Sequence, residues 1–188
     1  MIKKILIGIS MAFLLITTLA IVITNLKYNR NLKPTELSVG DKFEASGYNL
    51  SIRDYKVLTV DELEQYIVDL DQFEAYKNMF EFEGYVVLVN ATLKVTDKES
   101  MNKDWWTDYI LYSDNAWRNP PEVFLTSLIK DANPAKGNYV NGEEYELIFP
   151  FVINKNQVPE HDFNNAKNWK YSFIYGQNPI VYVDINKE

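Results

Sequence analysis

Chemistry-bearing side chains concentrate between residues 104 and 117. There Asp104-Trp105-Trp106-Thr107-Asp108-Tyr109 is followed by Trp117, so the stretch holds three of the chain's four tryptophans. Aromatic faces flanked by carboxylates suit stacking on a sugar ring or a protein surface while the acids hydrogen-bond to it. Trp105, Trp106, Tyr109 and Trp117 are therefore the candidate ligand or partner contacts, and the competing expectation is that they are core. Strand or helix geometry aims the adjacent Trp105 and Trp106 in different directions. One of the two is expected to be at least partly exposed beside Asp104 or Asp108.

Other groups offer less. His161 is the sole histidine, no Gly-x-Ser-x-Gly turn supplies a serine for it to activate, and there is no cysteine. Pro159-Glu160-His161-Asp162 reads as a solvated turn. Asp69, Asp71, Glu74, Glu81 and Glu83 are close in sequence but lack the glycine-containing loop spacing of an EF-hand, so they read as a solvated face. Paired acids that hydrolyse a glycoside need carboxyls about 5–9.5 Å apart across a cleft. Asn90-Ala91-Thr92 is a formal glycosylation sequon in the middle of an expected strand. No catalytic residue, metal ligand or cofactor is assigned. A non-enzymatic binding or interaction domain is the leading reading. The alternatives are a carbohydrate-active envelope enzyme using paired carboxylates, and an accessory or sensory subunit of a membrane complex.

Residues 5–23 are nineteen positions without a charge, preceded by Lys3 and Lys4 and followed by Lys27 and Arg30. As a helix they cover roughly 28 Å, near the ~30 Å core of a bilayer. Thr18-Leu19-Ala20 resembles a cleavage site, but the apolar run continues past it to Ile23. The expectation is an uncleaved single-pass signal anchor in the cell membrane, with the rest of the chain extracytoplasmic. Lipoprotein processing is excluded because it needs a cysteine. Beyond residue 33 stand all 26 acids against 14 bases, a net charge of −12. That balance excludes nucleic acid as a partner and disfavours docking on an anionic lipid surface. A protein or another cell-envelope component remains as partner.

The elements that must position these groups follow from periodicity. Residues 1–24 form the anchor, 25–38 a polar tether, and 39–188 one domain. Short strands are expected over 42–45 and 48–57 around a turn at Ser46-Gly47. Thr59-Val60-Asp61-Glu62 is a capping box, and Leu63, Tyr66, Ile67, Leu70 and Phe73 follow at helical spacing, so a helix is expected to about Lys77 with Leu70 on its buried stripe. Residues 85–95 alternate with a period of two, apolar on both faces at first and polar on one later, which makes a central strand ending exposed. A second such strand covers 145–153. Asn119-Pro120-Pro121-Glu122 starts a short helix through Ile129, and a hairpin pairs 169–175 with 180–185. Strands dominate this pattern, and 27 aromatic residues support a packed core. The expected fold is mainly β: an N-terminal transmembrane helix, then an antiparallel immunoglobulin-like β-sandwich with one or two added helices.

Val39-Gly40-Asp41, Gly47-Tyr48-Asn49-Leu50-Ser51-Ile52, the 85–95 strand and the closing pair 171–175 and 179–185 resemble exported immunoglobulin-like or telokin-like β-sandwich ectodomains of Gram-positive bacteria. The likeness extends to their membrane-anchored members of unknown function. The chain departs from the lipoprotein members in lacking the lipidated cysteine. The resemblance implies a location and a fold, and it carries no catalytic residue.

Overall fold

The computed structural model describes residues 33–130, 134, 137–177 and 180–186, together with 17–19 and 21. Nine strands are described: β1 (Thr35–Leu37), β2 (Phe43–Ala45), β3 (Tyr48–Thr59), β4 (Gly84–Val95), β5 (Ile110–Ser113), β6 (Arg118–Asn119), β7 (Glu144–Asn154), β8 (Tyr171–Gln177) and β9 (Ile180–Asp184). They form a five-stranded sheet in the order β1-β9-β8-β5-β6 and a four-stranded sheet in the order β2-β3-β4-β7. Every pairing is antiparallel except β1 on β9, which is parallel.

β4 carries the architecture. Val87, Val89, Ala91, Leu93 and Val95 share one core with Phe149 and Phe151 of β7 and with Leu111, Tyr171, Phe173 and Val183 of the five-stranded sheet. Val86 and Leu88 point the other way, into a second core with Val152, Leu63, Ile67, Phe73, Tyr76, Leu125 and Leu128. A strand apolar on both faces must be covered on both faces. Here one cover is the second sheet and the other is a helical layer, which gives three layers in the order sheet, sheet, helix.

The helical layer is made of α1 (Val60–Leu63), α2 (Leu70–Met79) and α3 (Val123–Leu128). A fourth short helix, α4 (Glu160–Phe163), lies in the β7–β8 connection. The capping box is formed: the Thr59 hydroxyl accepts from the Glu62 N–H at 3.3 Å while the Glu62 carboxylate accepts from the Thr59 N–H at 2.7 Å. The expected single helix from there to Lys77 is corrected, because it breaks at Ile67, whose backbone is extended. Val68 N–H donates to the Leu128 carbonyl at 2.8 Å and Lys130 N–H to the Tyr66 carbonyl at 2.9 Å. Ile67 thereby pairs antiparallel with Ile129. Asp69 then starts α2 by accepting from the Gln72 N–H at 3.0 Å. The restart turns Leu70 outward, 50% exposed, and leaves Phe73 and Tyr76 as the buried face.

Two expectations on fold class are corrected. The domain is mixed α/β with two sheets, and helices and 3-10 turns interrupt its strands throughout the described residues. It is not a mainly β immunoglobulin-like sandwich with one or two added helices. Helices in the segments 59–77 and 119–129 are expected from the sequence, but alternation reveals that a face is buried without saying whether sheet or helix buries it, so their packing as a layer on the four-stranded sheet is not. Among the described residues no helix is long and apolar enough to cross a membrane. The membrane-spanning signal anchor expected over residues 5–23 is thus not found among the described residues, and most of that run lies outside them.

Candidate functional site

All four aromatic candidates from the sequence are core. Trp105 is 4% and Trp106 6% exposed, and Tyr109 and Trp117 are buried as well. Trp105, Trp106 and Tyr109 lie on or beside a 3-10 turn, Trp105–Asp108, whereas Trp117 follows β5 and packs against Trp169 and Tyr171. Trp105 meets Tyr48 at 4.6 Å, Tyr109 at 6.0 Å, Tyr139 at 6.2 Å and Phe149 at 6.2 Å between ring centroids. The Tyr48 and Tyr109 hydroxyls hydrogen-bond at 2.6 Å inside this cluster, and burial pushes the Tyr109 phenol well above its ordinary range. The expectation that one indole of the pair is at least partly exposed is therefore corrected. A turn enclosed on several sides offers core in more than one direction, so adjacent side chains that diverge are both covered.

Several of the other candidates already have partners. Glu74 pairs with Lys77, and Glu83 lies 3.6 Å from Lys155. Asp69 is spent on the α2 cap. His161 is exposed, 3.1 Å from the carboxylate of its neighbour Asp162. Among the described residues no three His, Asp or Glu side chains are placed to hold a metal ion. The Asn90 amide of the sequon donates to Asp54 across the middle of β4 and β3.

A groove of about 530 Å³ lies where the helical layer meets the end of β7, walled by Tyr76, Phe82, Pro121, Glu122 and Val152, with Phe80 at its mouth. The chain builds it from the β7 edge outward. Pro150 stands on that edge, where its missing N–H leaves no ladder bond unmade. Its carbonyl accepts from the Glu122 N–H at 2.7 Å, and the Val152 carbonyl accepts from the Asn119 amide at 2.8 Å. These bonds hold Asn119-Pro120-Pro121-Glu122 along the strand and aim α3 across it. The Glu122 carboxylate then caps α3, accepting from the Leu125 N–H. Burial raises its pKa above the ordinary carboxylate value, and the backbone N–H groups of Leu125 and Phe124 offset some of that rise. The Tyr76 phenol is raised by burial and, secondarily, by the Glu122 charge.

The far wall comes from the end of α2. Phe82 N–H donates to the Lys77 carbonyl at 2.9 Å, and Glu81 between them has φ 45°. This is a helix C-terminal turn of the kind in which glycine usually occupies the left-handed position. The T-shaped contact of Tyr76 with Phe82 at 5.9 Å completes it. As a result Phe80 is turned outward, 56% exposed, against one side of the Tyr76 ring at 5.0 Å. Phe124, 40% exposed, stacks on Tyr76 at 5.2 Å with 8° between the planes. Three aromatic rings thus run in series beside the groove. Glu81, Glu83 and Lys155 line an adjoining hollow. Trp117 reaches the region only through its indole N–H, which donates to Gln157 at 3.4 Å.

None of these groove residues stands out in the sequence as a contact. The available signal is the apolar run Met79-Phe80 at a helix end and Val123-Phe124 at a helix start, each outside the buried stripe.

No family model matches the chain and no curated protein matches it. Among solved structures it is similar to a conserved hypothetical protein from Bacillus anthracis, at 15% identity over 80% of this chain and 91% of that one, with a TM-score of 0.39. It is also similar to the YjhA protein from Bacillus subtilis, at 11% identity over 79% of this chain and 98% of that one, with a TM-score of 0.34. Likenesses this distant carry no inference about what the chain does.

Proposed function

We propose that the domain is a non-enzymatic binding module whose groove takes a short peptide segment of a protein partner, basic in charge and anchored by one apolar or aromatic side chain. The observation that carries this is the series Phe80–Tyr76–Phe124, two exposed rings clamping a buried one at the lip of a concave site. Large rings cover area with few rotatable bonds, which is why such residues anchor interfaces. The charge of the partner follows from complementarity. Glu81, Glu83 and Glu122 stand around the concavity against one base, Lys155, in a domain with a large excess of acid. Catalysis by paired carboxylates is disfavoured by what those acids already do. Glu122 holds the α3 backbone and Glu83 faces Lys155, so neither is poised to move a proton to a substrate.

The test is fluorescence anisotropy with two panels of labelled hexapeptides, one alternating Lys or Arg with Leu or Trp, the other with Asp or Glu in the charged places. The basic panel is expected to bind the full chain at least about tenfold more tightly. Phe80→Ala is expected to abolish that binding while thermal melting changes little. Equal affinity for both panels, or binding indifferent to Phe80→Ala, overturns the proposal.

A further inference from the structure

The four-stranded sheet is covered on both faces, whereas the outer face of the five-stranded sheet has no covering layer among the described residues. Its composition follows from the register. Glu36 of β1 stands opposite Tyr182 of β9, Tyr182 opposite Ile174 of β8, and Ile174 opposite Ile110 of β5. In the next row Ser172 stands opposite Tyr112, and Tyr112 opposite Arg118 of β6. Ile110, Tyr112, Ser172, Ile174, Tyr182 and Arg118 line one concavity of about 450 Å³ on this face. An apolar centre is thus bordered by an acid on the β1 edge and a base on the β6 edge, four strand steps apart, or roughly 19 Å.

We propose that this face is a two-fold interface between two copies of the chain. Two sheets packed face to face lie about 10 Å apart with their strands within about 30° of parallel. A two-fold axis running between them along β8 lays β6 of one copy over β1 of the other. Arg118 then stands over the β1 edge of the second copy one row along the strands from Glu36, roughly 7 Å and within the reach of an arginine side chain, and by symmetry the pair occurs twice, with Ile110, Ile174, Tyr112 and Tyr182 of the two copies packed between. The rims are complementary to themselves only in that arrangement. Turning the second copy to set β6 over β6 would put Arg118 against Arg118 and Glu36 against Glu36. No ion pair of Arg118 is found within the described chain. Within the chain Glu36 accepts from the Tyr182 hydroxyl at 3.2 Å, which fixes its carboxylate on this face. The net charge of −7 opposes approach at long range. Salt screens that repulsion beyond about 10 Å, so the apolar centre and the two crossed pairs decide the contact. The aromatic groove lies on the opposite layer and is not involved.

Sedimentation equilibrium of the full chain over a range of concentrations is the test, with Arg118→Glu and Glu36→Lys as separate variants. The wild type is expected to dimerise, and each single reversal to weaken self-association about tenfold or more, since it sets like charges opposite each other twice per interface. An equimolar mixture of the two variants is expected to regain near wild-type association, because one crossed pair is then the native Arg118–Glu36 pair and the other is attractive with its signs exchanged. Unchanged melting of each variant shows that the fold is intact. A wild type that stays monomeric, single variants that dimerise as the wild type does, or a mixture that fails to recover would each overturn the proposal. Recovery in the mixture belongs to a contact between chains, since an interaction within one chain is not repaired by mixing.

Discussion

The Tyr76 ring lies parallel to Phe124, 5.2 Å between centroids, and this stack joins the last turns of α2 to the first turn of α3. Tyr76 is otherwise buried among helical-layer residues, walls the groove, and is flanked by Phe80 and Phe124. The helical layer and the proposed binding surface therefore share a side chain.

Stability and binding separate along that shared ring. Phe124→Ala removes one half of the stack and is expected to cost about 0.5–1.5 kcal/mol beyond its modest area burial, with a clear loss of peptide affinity. Phe73→Ala, at the fully buried heart of the same layer, should cost about 3–5 kcal/mol. Urea titration of both variants checks the contrast, and equal costs would place Phe124 in the core instead of at the lip.

Leu70 and Thr59 test the broken helix. Leu70 follows a new cap and faces solvent, so Leu70→Ala should cost well under the ~2–5 kcal/mol of a buried leucine. Thr59→Ala loses the cap of α1 and should cost about 0.5–2 kcal/mol. The cap change is thus expected to outweigh the leucine truncation, an inversion that a continuous helix with a buried Leu70 would not produce.

Glu81 holds a left-handed backbone that an L-residue other than glycine or asparagine adopts at a cost of roughly 1–2 kcal/mol. Glu81→Gly should therefore raise the melting temperature, while removing one acid from the groove rim and weakening basic-peptide binding. A variant both more stable and less able to bind would show strain retained at a working position. A lower melting temperature would mean that the carboxylate compensates the backbone.

Protonation of Glu122 offers a pH test. Its folded-state pKa is raised by burial, so the folded state binds a proton that the unfolded state has already released. Stability from this source is fully present below the ordinary glutamate value and is lost as pH rises through the raised one. Measured by urea titration at a series of pH values, wild type should lose stability relative to Glu122→Gln across that window as pH increases. A difference that stays flat would mean the N–H groups of Leu125 and Phe124 cancel the burial.

The strands are legible in the sequence because their period-two pattern is enforced at every residue by a buried face. β4 even announces two covers, through Val86 and Leu88 as well as Val87 and Val89. The start of α1 is legible because a capping box is local. Its end is not, since Ile67 leaves the helix to pair with Ile129, sixty-two positions away. Trp105 and Trp106 mislead for a similar reason: local geometry says that adjacent side chains diverge but not how much protein surrounds the turn. The groove is invisible in the sequence because Phe80 and Phe124 are displayed by the end of one helix and the start of another, which meet only in three dimensions.

The parallel pairing of β1 with β9 sets how the domain carries a load. Thr35, Glu36 and Leu37 run alongside Val181, Tyr182 and Val183 in the same direction, so the chain enters β1 at one end of the pair and leaves β9 at the other. Tension between residues 35 and 184 would act along both strands at once and strain their cross-strand hydrogen bonds together. Antiparallel neighbours pulled from adjacent ends would instead unzip, each bond breaking after the last. This short parallel pair is therefore a shear joint, placed where pulling on either flank of the domain is felt first.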